Sequence, residues 1–197
     1  MPAGPATAPP KSLAPVHGAA ETAGVDRQPV LDGDLVRLRP LTDDDHDALF
    51  AISSDPLLWE QHPAKVRATP EGFRQWFADA MASGGALVVE DRSDGRVIGT
   101  SRYDRYDPEE STVEIGWTFL DRRRWGGPWN GAIKALMLEH AFRSVDAVLF
   151  RVHSGNLRSQ RAVLKLGAEH VAVEPFDGEG DAYVYRLTPE AAARSPR

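Results

Sequence analysis

The sequence predicts an α/β protein built on a mixed sheet with helices set among its strands, and three observations carry that expectation. The chain has 197 residues, 42% of them apolar, which suits one domain with a single well-buried core. Its strand-like and helix-like stretches follow one another in the order βααβββαβαββ. Between Glu114 and Phe142 a period-two pattern gives way to a helical one within a few residues. Val113, Ile115, Trp117 and Phe119 alternate with Glu114, Gly116 and Thr118, as in a strand, whereas Ile133, Leu136, Met137, His140 and Ala141 recur at helical spacing. The turn between them, Trp125 to Asn130, leaves the first helical amides unpaired with the helix dipole behind them, a cradle for an anion such as a pyrophosphate.

Residues 1–30 are rich in Ala, Pro and Gly and hold almost no large apolar side chains, so burial cannot offset their ordering entropy, and a disordered arm is expected. A folded domain is expected over residues 31–190 and a short tail over 191–197. Leu35 to Arg39 alternates as a first strand, stopped by Pro40. Thr42 then suits the N-cap of a helix carrying Leu49, Phe50 and Ile52, with Asp43, Asp44 and Asp45 favouring its first turn. A loop with Pro56, Trp59, His62 and Pro63 leads to a second helix, begun by Thr69 as N-cap and Pro70 at its first position. Phe73, Trp76, Phe77 and Ala80 form its apolar face, and Gly84-Gly85 ends it. Ala86 to Glu90 and Arg96 to Tyr103 read as strands joined by a hairpin at Ser93-Asp94-Gly95. After the cradle helix come a strand at Val148 to Val152, a short helix from Asn156 to Leu166 ended by Gly167, and strands at Val171 to Val173 and Tyr183 to Leu187.

Composition excludes several functions. A net charge of -6, with no basic stripe beyond Arg122, Arg123 and Arg124, offers no field for a nucleic-acid backbone. The absence of cysteine removes disulfides, thiolate metal sites and a cysteine nucleophile, and the six histidines lack metal-ligand spacing. No apolar run approaches the roughly 20 residues that span a bilayer, and the N-terminus lacks signal-peptide features, so no membrane association and a cytoplasmic location are expected. Oligomeric state is left open, a homodimer included.

Three blocks resemble the GNAT acetyltransferase superfamily, and within it the RimJ/RimL-like branch, over Leu35 to Leu187. Trp125-Gly126-Gly127-Pro128-Trp129-Asn130 lies in the register of the family's Q/R-x-x-G-x-G/A pyrophosphate signature. It departs from it at Trp125, Pro128 and Asn130. Asn156 to Gly167 resembles the family's Asn-x-x-Ser helix ending in Leu-Gly, and Asp55 to Pro63 its substrate-side loop. The resemblance implies a mostly antiparallel sheet whose fourth and fifth strands splay apart, with acetyl-CoA bound between them as acetyl donor and an amine as acceptor. It implies backbone contacts to the pantetheine arm from Trp117 to Leu120, hence at Thr118, Phe119 and Leu120, and a contact to the same arm from the side-chain amide of Asn156. The pyrophosphate falls to the amides of Gly126, Gly127, Trp129 and Asn130 in the Trp125 turn, with Arg124 adding charge. Proline has no amide to give, but its fixed φ suits a first helical position, so Pro128 presets the turn with one donor fewer.

Acyl transfer to an amine requires a base for a proton held with a pKa of roughly 8 to 10. Glu114, eleven residues ahead of Trp125, stands where the family often places such a group, as general base or substrate anchor. The competing assignment is a strand-edge charge facing solvent. Glu109 and Glu110 read as solvated loop acids. The tyrosine that many family members use to protonate the thiolate is replaced by Val163, and Ser159 is the substitute that the resemblance implies. A local helix cap serves equally well for Ser159 and for Asn156. Trp59, His62 and Trp117 are candidates for the amine pocket, with core packing as the competing role. His140 reads as a core histidine, Lys134 as a solvated helix residue, and His153 is left open. The function expected is direct transfer of acetyl from acetyl-CoA to a primary amine, a peptide N-terminus first. The alternatives are a small-molecule amine (polyamine, aminoglycoside or amino acid) and a noncatalytic coenzyme A sensor.

Overall fold

In a computed structural model, which describes residues 24–176 and 180–195, the chain forms one eight-stranded sheet. In chain order the elements are β1 (Leu31–Asp32), β2 (Val36–Pro40), α1 (His46–Ser53), α2 (Pro70–Ala82), β3 (Ala86–Asp91), β4 (Val97–Asp107) and β5 (Thr112–Leu120). They continue with α3 (Trp129–Ala141), β6 (Ala147–His153), α4 (Leu157–Lys165), β7 (Glu169–Pro175), β8 (Asp181–Leu187) and α5 (Pro189–Arg194). The strands lie in the order β1-β2-β3-β4-β5-β6-β8-β7. Every neighbouring pair is antiparallel except β5 and β6, which are parallel because α3 carries the chain back across the sheet.

Alternation along the strands divides the core between the two faces. Val36, Leu38, Leu87 and Val89 point toward α3 and meet Ile133, Met137 and Ala141. Ala86 and Val88 point the other way, to Leu49 of α1 and to Phe73, Trp76, Phe77 and Ala80 of α2. That second face is strongly aromatic, with Phe73 fully buried between Trp76 and Phe77. Truncating such a ring to Ala costs roughly 3–5 kcal/mol.

Local signals hold with small adjustments. Thr69 caps α2 by accepting from the Gly72 amide at 3.2 Å, with Pro70 in the first position. Thr42 starts a 3-10 turn, Asp43–Asp45, and α1 begins after it. Asp45, expected to favour the first helical turn, is buried and clamped by Arg39 at 2.7 and 2.8 Å, a link from β2 to α1. Gly95 takes φ +72 in the turn between β3 and β4, as that hairpin needs.

The chain ends differ from expectation. Most of the arm expected over residues 1–30 lies outside the described residues, but Val25 is buried in the core and the Asp26 carbonyl oxygen lies 2.7 Å from Nε2 of His140. Arg27 donates to the Ser83 carbonyl at 3.3 Å. Leu31 pairs with Leu38, adding a strand that two residues are too few to announce by periodicity. Of the tail expected over 191–197, residues up to Arg194 are helical in α5, capped by Thr188.

One break in the strand pattern bends β5. Along the β4–β5 ladder Arg102 faces Gly116 and Thr100 faces Phe119, so Ser101 alone opposes Trp117 and Thr118. This is a β-bulge, and Trp117 takes the left-handed φ of 51 there. The expected alternation through Phe119 therefore fails. Val113 and Ile115 pack toward α3, but after the extra residue it is Leu120 that joins them, while Phe119 turns to the α2 face.

Candidate active site

Strands β5 and β6 pair only where Thr112, Val113 and Glu114 meet Ala147, Val148 and Leu149. Beyond that point β5 continues to Leu120 bonded to β4, and β6 to His153 bonded to β8, so the two part and leave backbone groups unpaired between them. The bulge at Trp117 supplies the bend. At the fork lies a cavity of about 590 Å³ walled by Glu114 and Trp117 of β5, Arg151 of β6 and Arg105 of β4. His62 and Arg67 close it from the loop before α2, and Glu174 and Phe176 from the end of β7.

Glu114 is 3% exposed, not the solvent-facing strand charge of the competing assignment. Arg151 Nη1 donates to its Oε2 at 2.6 Å and Arg105 Nη1 to the same oxygen at 3.2 Å. Burial pushes the carboxyl above the ordinary glutamate range, with the two guanidiniums pulling the other way. Arg151 also reaches Glu174 at 2.8 Å through Nε, which fixes its position. Glu109 and Glu110 donate their amides to Asp107 in an exposed turn and take no part.

Behind the bulge stands Lys134, which is buried and not the solvated helix residue expected. Its Nζ donates to the hydroxyls of Thr118 at 2.7 Å and Ser101 at 3.2 Å, which are themselves 2.7 Å apart. Burial lowers its pKa to about 7. The Thr118 side chain is thus committed inward, Phe119 packs on Trp59 and Trp76, and the Leu120 carbonyl accepts from Trp125 Nε1 at 3.1 Å. For a ligand in the fork, these three residues have their backbone edge to offer. Trp117 carries the Arg102 guanidinium 3.7 Å from its ring centroid.

In the Trp125 turn the Arg124 and Trp125 amides are spent on Asp121 and Arg122 in a 3-10 turn, so Trp125 contributes no free donor. Arg124 itself is held by the buried Asp91 at 2.6 Å and stacks 4.2 Å from the Trp129 ring. Pro128 is the N-cap of α3, one position earlier than expected, and its carbonyl accepts from Ala132. No side chain caps this helix, leaving the amides of Trp129, Asn130 and Gly131 without an acceptor among the described residues. Gly126, with φ +74, and Gly131 would each place an added Cβ in open space. A second hollow of about 240 Å³ adjoins the turn, walled in part by Arg96, Arg123 and Arg124. Free amides, a positive helix end and nearby guanidiniums fit the pyrophosphate of acetyl-CoA.

Asn156 is buried and caps α4 by accepting from the Ser159 amide at 3.2 Å. The Ser159 hydroxyl is half-buried and has no partner among the described residues. Between them Arg158 ties α4 to the loop before α2, donating to Gln61 and to Leu58 and stacking 3.8 Å from the Trp125 ring. Trp59 does not reach the cavity wall. It is 4% exposed and spends Nε1 on the Ser53 carbonyl at 2.8 Å, so its area serves the core and backs His62. His62 does line the cavity. Burial, with Arg67, His153 and Arg158 nearby, lowers its pKa to about 4, and its Nδ1 accepts from the Ala64 amide at 3.0 Å, which puts the remaining proton on Nε2. His153 packs against Phe176 and accepts from the Gly155 amide at 3.1 Å, and it lies outside the cavity wall.

Of the residues expected in the site, Glu114, Trp117 and His62 come together, with Ser159 and Asn156 on the neighbouring helix. Arg105, Arg151, Arg67 and Lys134 were missed. A signal existed for Arg151, a charge inside the apolar run Val148 to Val152, and for Lys134, which stands amid Ile133, Met137, Leu138 and Ala141 on one helical face.

The family model described as an acetyltransferase (GNAT) domain matches residues 36–169. No curated protein matches the sequence. Among solved structures the chain is similar to a GCN5-related N-acetyltransferase from Brucella melitensis, with 22% identity over 84% of this chain and 83% of that one and a TM-score of 0.74. Mycobacterium smegmatis RimJ, in complex with a CoA disulfide, is 20% identical over 87% of this chain and 88% of its own, with a TM-score of 0.64. RimL, described as a ribosomal alpha-N-protein acetyltransferase in complex with coenzyme A, is 15% identical over 83% and 99%, with a TM-score of 0.67. At these identities the three structures establish the shared fold.

Proposed function

Because the chain belongs to the GNAT acetyltransferase family, and is therefore an acyltransferase with acetyl-CoA as donor, we propose that it acetylates the α-amine of a peptide and that Glu114 is its general base. The observation that carries this reading is a buried carboxylate held at the fork of β5 and β6 by Arg151 and Arg105. An α-amine holds its proton with a pKa of about 8, and a carboxyl whose pKa is raised by burial is better matched to take it than a solvated one. The guanidiniums also disfavour the ammonium form, which brings the acceptor closer to its reactive neutral state.

The amides of Gly126, Gly127, Trp129 and Asn130 would hold the pyrophosphate, and the β5 edge from Thr118 to Leu120 the pantetheine arm. Arg124 and its neighbours in the arginine run supply charge nearby, and Asn156 orients the start of α4. The donor supplies an activated thioester. With no cysteine in the chain, transfer is direct: the acetyl–sulfur bond breaks as the acetyl–nitrogen bond forms. The amine proton passes to Glu114, and the Ser159 hydroxyl gives a proton to the departing sulfur and is reprotonated from solvent. Binding both reactants in one fork supplies acceleration through orientation. His62, neutral at physiological pH, presents an Nε2–H donor in the wall, and Trp117 an aromatic surface. The peptide acceptor is supported by the described activity of RimL and by a cavity open enough for a chain end. Calorimetry with acetyl-CoA, followed by a thiol-release assay with N-terminal peptides, tests the reading, and binding without release from any amine would overturn it in favour of a sensor.

A further inference from the structure

The charges around Glu114 alternate in sign. Glu174, Arg151, Glu114 and Arg105 form one chain of contacts at 2.8, 2.6 and 3.2 Å. The side chains of its inner members are 19% and 4% exposed, while those of Glu174 and Arg105 at its ends are 43% and 47% exposed. One end therefore presents a carboxylate to the cavity and the other a guanidinium. Arg105 donates to Glu114 through Nη1 alone, and among the described residues its Nε and Nη2 donate to nothing. It holds this position from a left-handed backbone, φ 45, where an arginine is strained. Trp117, whose ring lies 5.7 Å from that guanidinium, is left-handed as well. Both residues sit at irregularities of the β4–β5 ladder, and both line the cavity.

We propose that the acceptor carries a carboxylate beside its amine, and that Arg105 binds this carboxylate while the amine faces Glu114. The inference rests on the transferase reading above. A guanidinium matches a carboxylate in a planar fork and is the side chain best suited to select it. The wall sets Arg67, Arg105 and Arg151 against Glu114 and Glu174, with His62 uncharged, and this excess of guanidiniums disfavours an acceptor that brings several ammonium groups. Two sources supply the chemistry: a free amino acid, or a peptide whose first residue is Asp or Glu.

The test is thiol release from acetyl-CoA over matched acceptors. These are free glutamate and its amides, peptides beginning with Asp or Glu against the same peptides beginning with Asn or Gln, and spermidine. Acid forms are expected to exceed their carboxamide forms in kcat/KM by about tenfold or more, with spermidine poorest. Turnover of the free amino acids or of the peptides identifies the source. In Arg105→Gln the acid-to-amide ratio falls about tenfold, and Arg105→Lys restores part of it. This ratio stays informative even where the variant slows every acceptor. Equal use of acid and amide forms, or an unchanged ratio in Arg105→Gln, would overturn the carboxylate assignment and leave the transferase reading standing. Thiol release from no acceptor, with acetyl-CoA bound by calorimetry, would overturn both.

Discussion

Arg151 joins Glu114 to Glu174, donating at 2.6 Å to the first and 2.8 Å to the second, from the strand that parts from Glu114's own. Breaking such a contact strands a buried carboxylate. In Arg151→Met the protein should lose about 2–4 kcal/mol of stability, read by urea unfolding. The acid limb of its kcat/KM profile should move to higher pH, because among the described residues Glu114 is left with Arg105 as its contacting cation. A limb that stays in place would separate Glu114 from proton transfer.

Removing the charge itself gives a different signature. Glu114→Gln should lower kcat by about 10² or more, the range for a lost general base, while the calorimetric affinity for acetyl-CoA changes little. Equal losses in turnover and affinity would place Glu114 in a supporting role.

Lys134 makes stability depend on pH in a calculable direction. Its pKa falls from 10.5 to about 7 on folding, so between those values the unfolded chain holds a proton that the folded one releases. Stability should rise as pH increases from about 7 past 10, and the full cost of the buried ammonium stands below 7. Lys134→Met removes this dependence. The wild type's stability relative to the variant should grow by an amount on the order of 5 kcal/mol across that window. Parallel stability curves for the two proteins would show that Lys134 stays charged.

His62 should not titrate in the physiological range. With a folded pKa of about 4 against 6.5, its ring-proton chemical shifts should stay flat from pH 8 to about 5. The unfolded chain takes up the proton first as pH falls, so this residue withdraws stability between about 6.5 and 4, by on the order of 3 kcal/mol. A mid-range titration would mean that the ring is solvated.

Pro128→Gly restores an amide at the uncapped start of α3 and frees the backbone. Weaker acetyl-CoA binding in this variant would show that the preset turn outweighs the added donor. We expect a loss of about threefold to tenfold by calorimetry.

The sequence carried the order of the elements because each announced itself locally: Thr69 and Pro70 at a helix start, Gly95 in a hairpin, alternation in β3 and β6. Glu114 was legible through its distance from the Trp125 turn. Its arginine partners were not, because Arg105 and Arg151 reach it from two other strands and only the sheet order brings them together. Lys134 was misjudged since a lysine on a helix ordinarily lies on the wet face, and the hydroxyls that satisfy it come from β4 and β5. The bulge was hidden for the same reason: it is a mismatch between two strands, and neither strand alone contains it.

That bulge also determines which changes of length the chain tolerates here. Deleting Trp117 would remove the extra residue and its bend while leaving Phe119 toward α2 and Leu120 toward α3, whereas pairing β5 straight through at its present length would turn its end over. The residue count between Glu114 and Leu120 therefore sets the opening of the fork, and a β5 shortened at Trp117 should keep its core and lose its site.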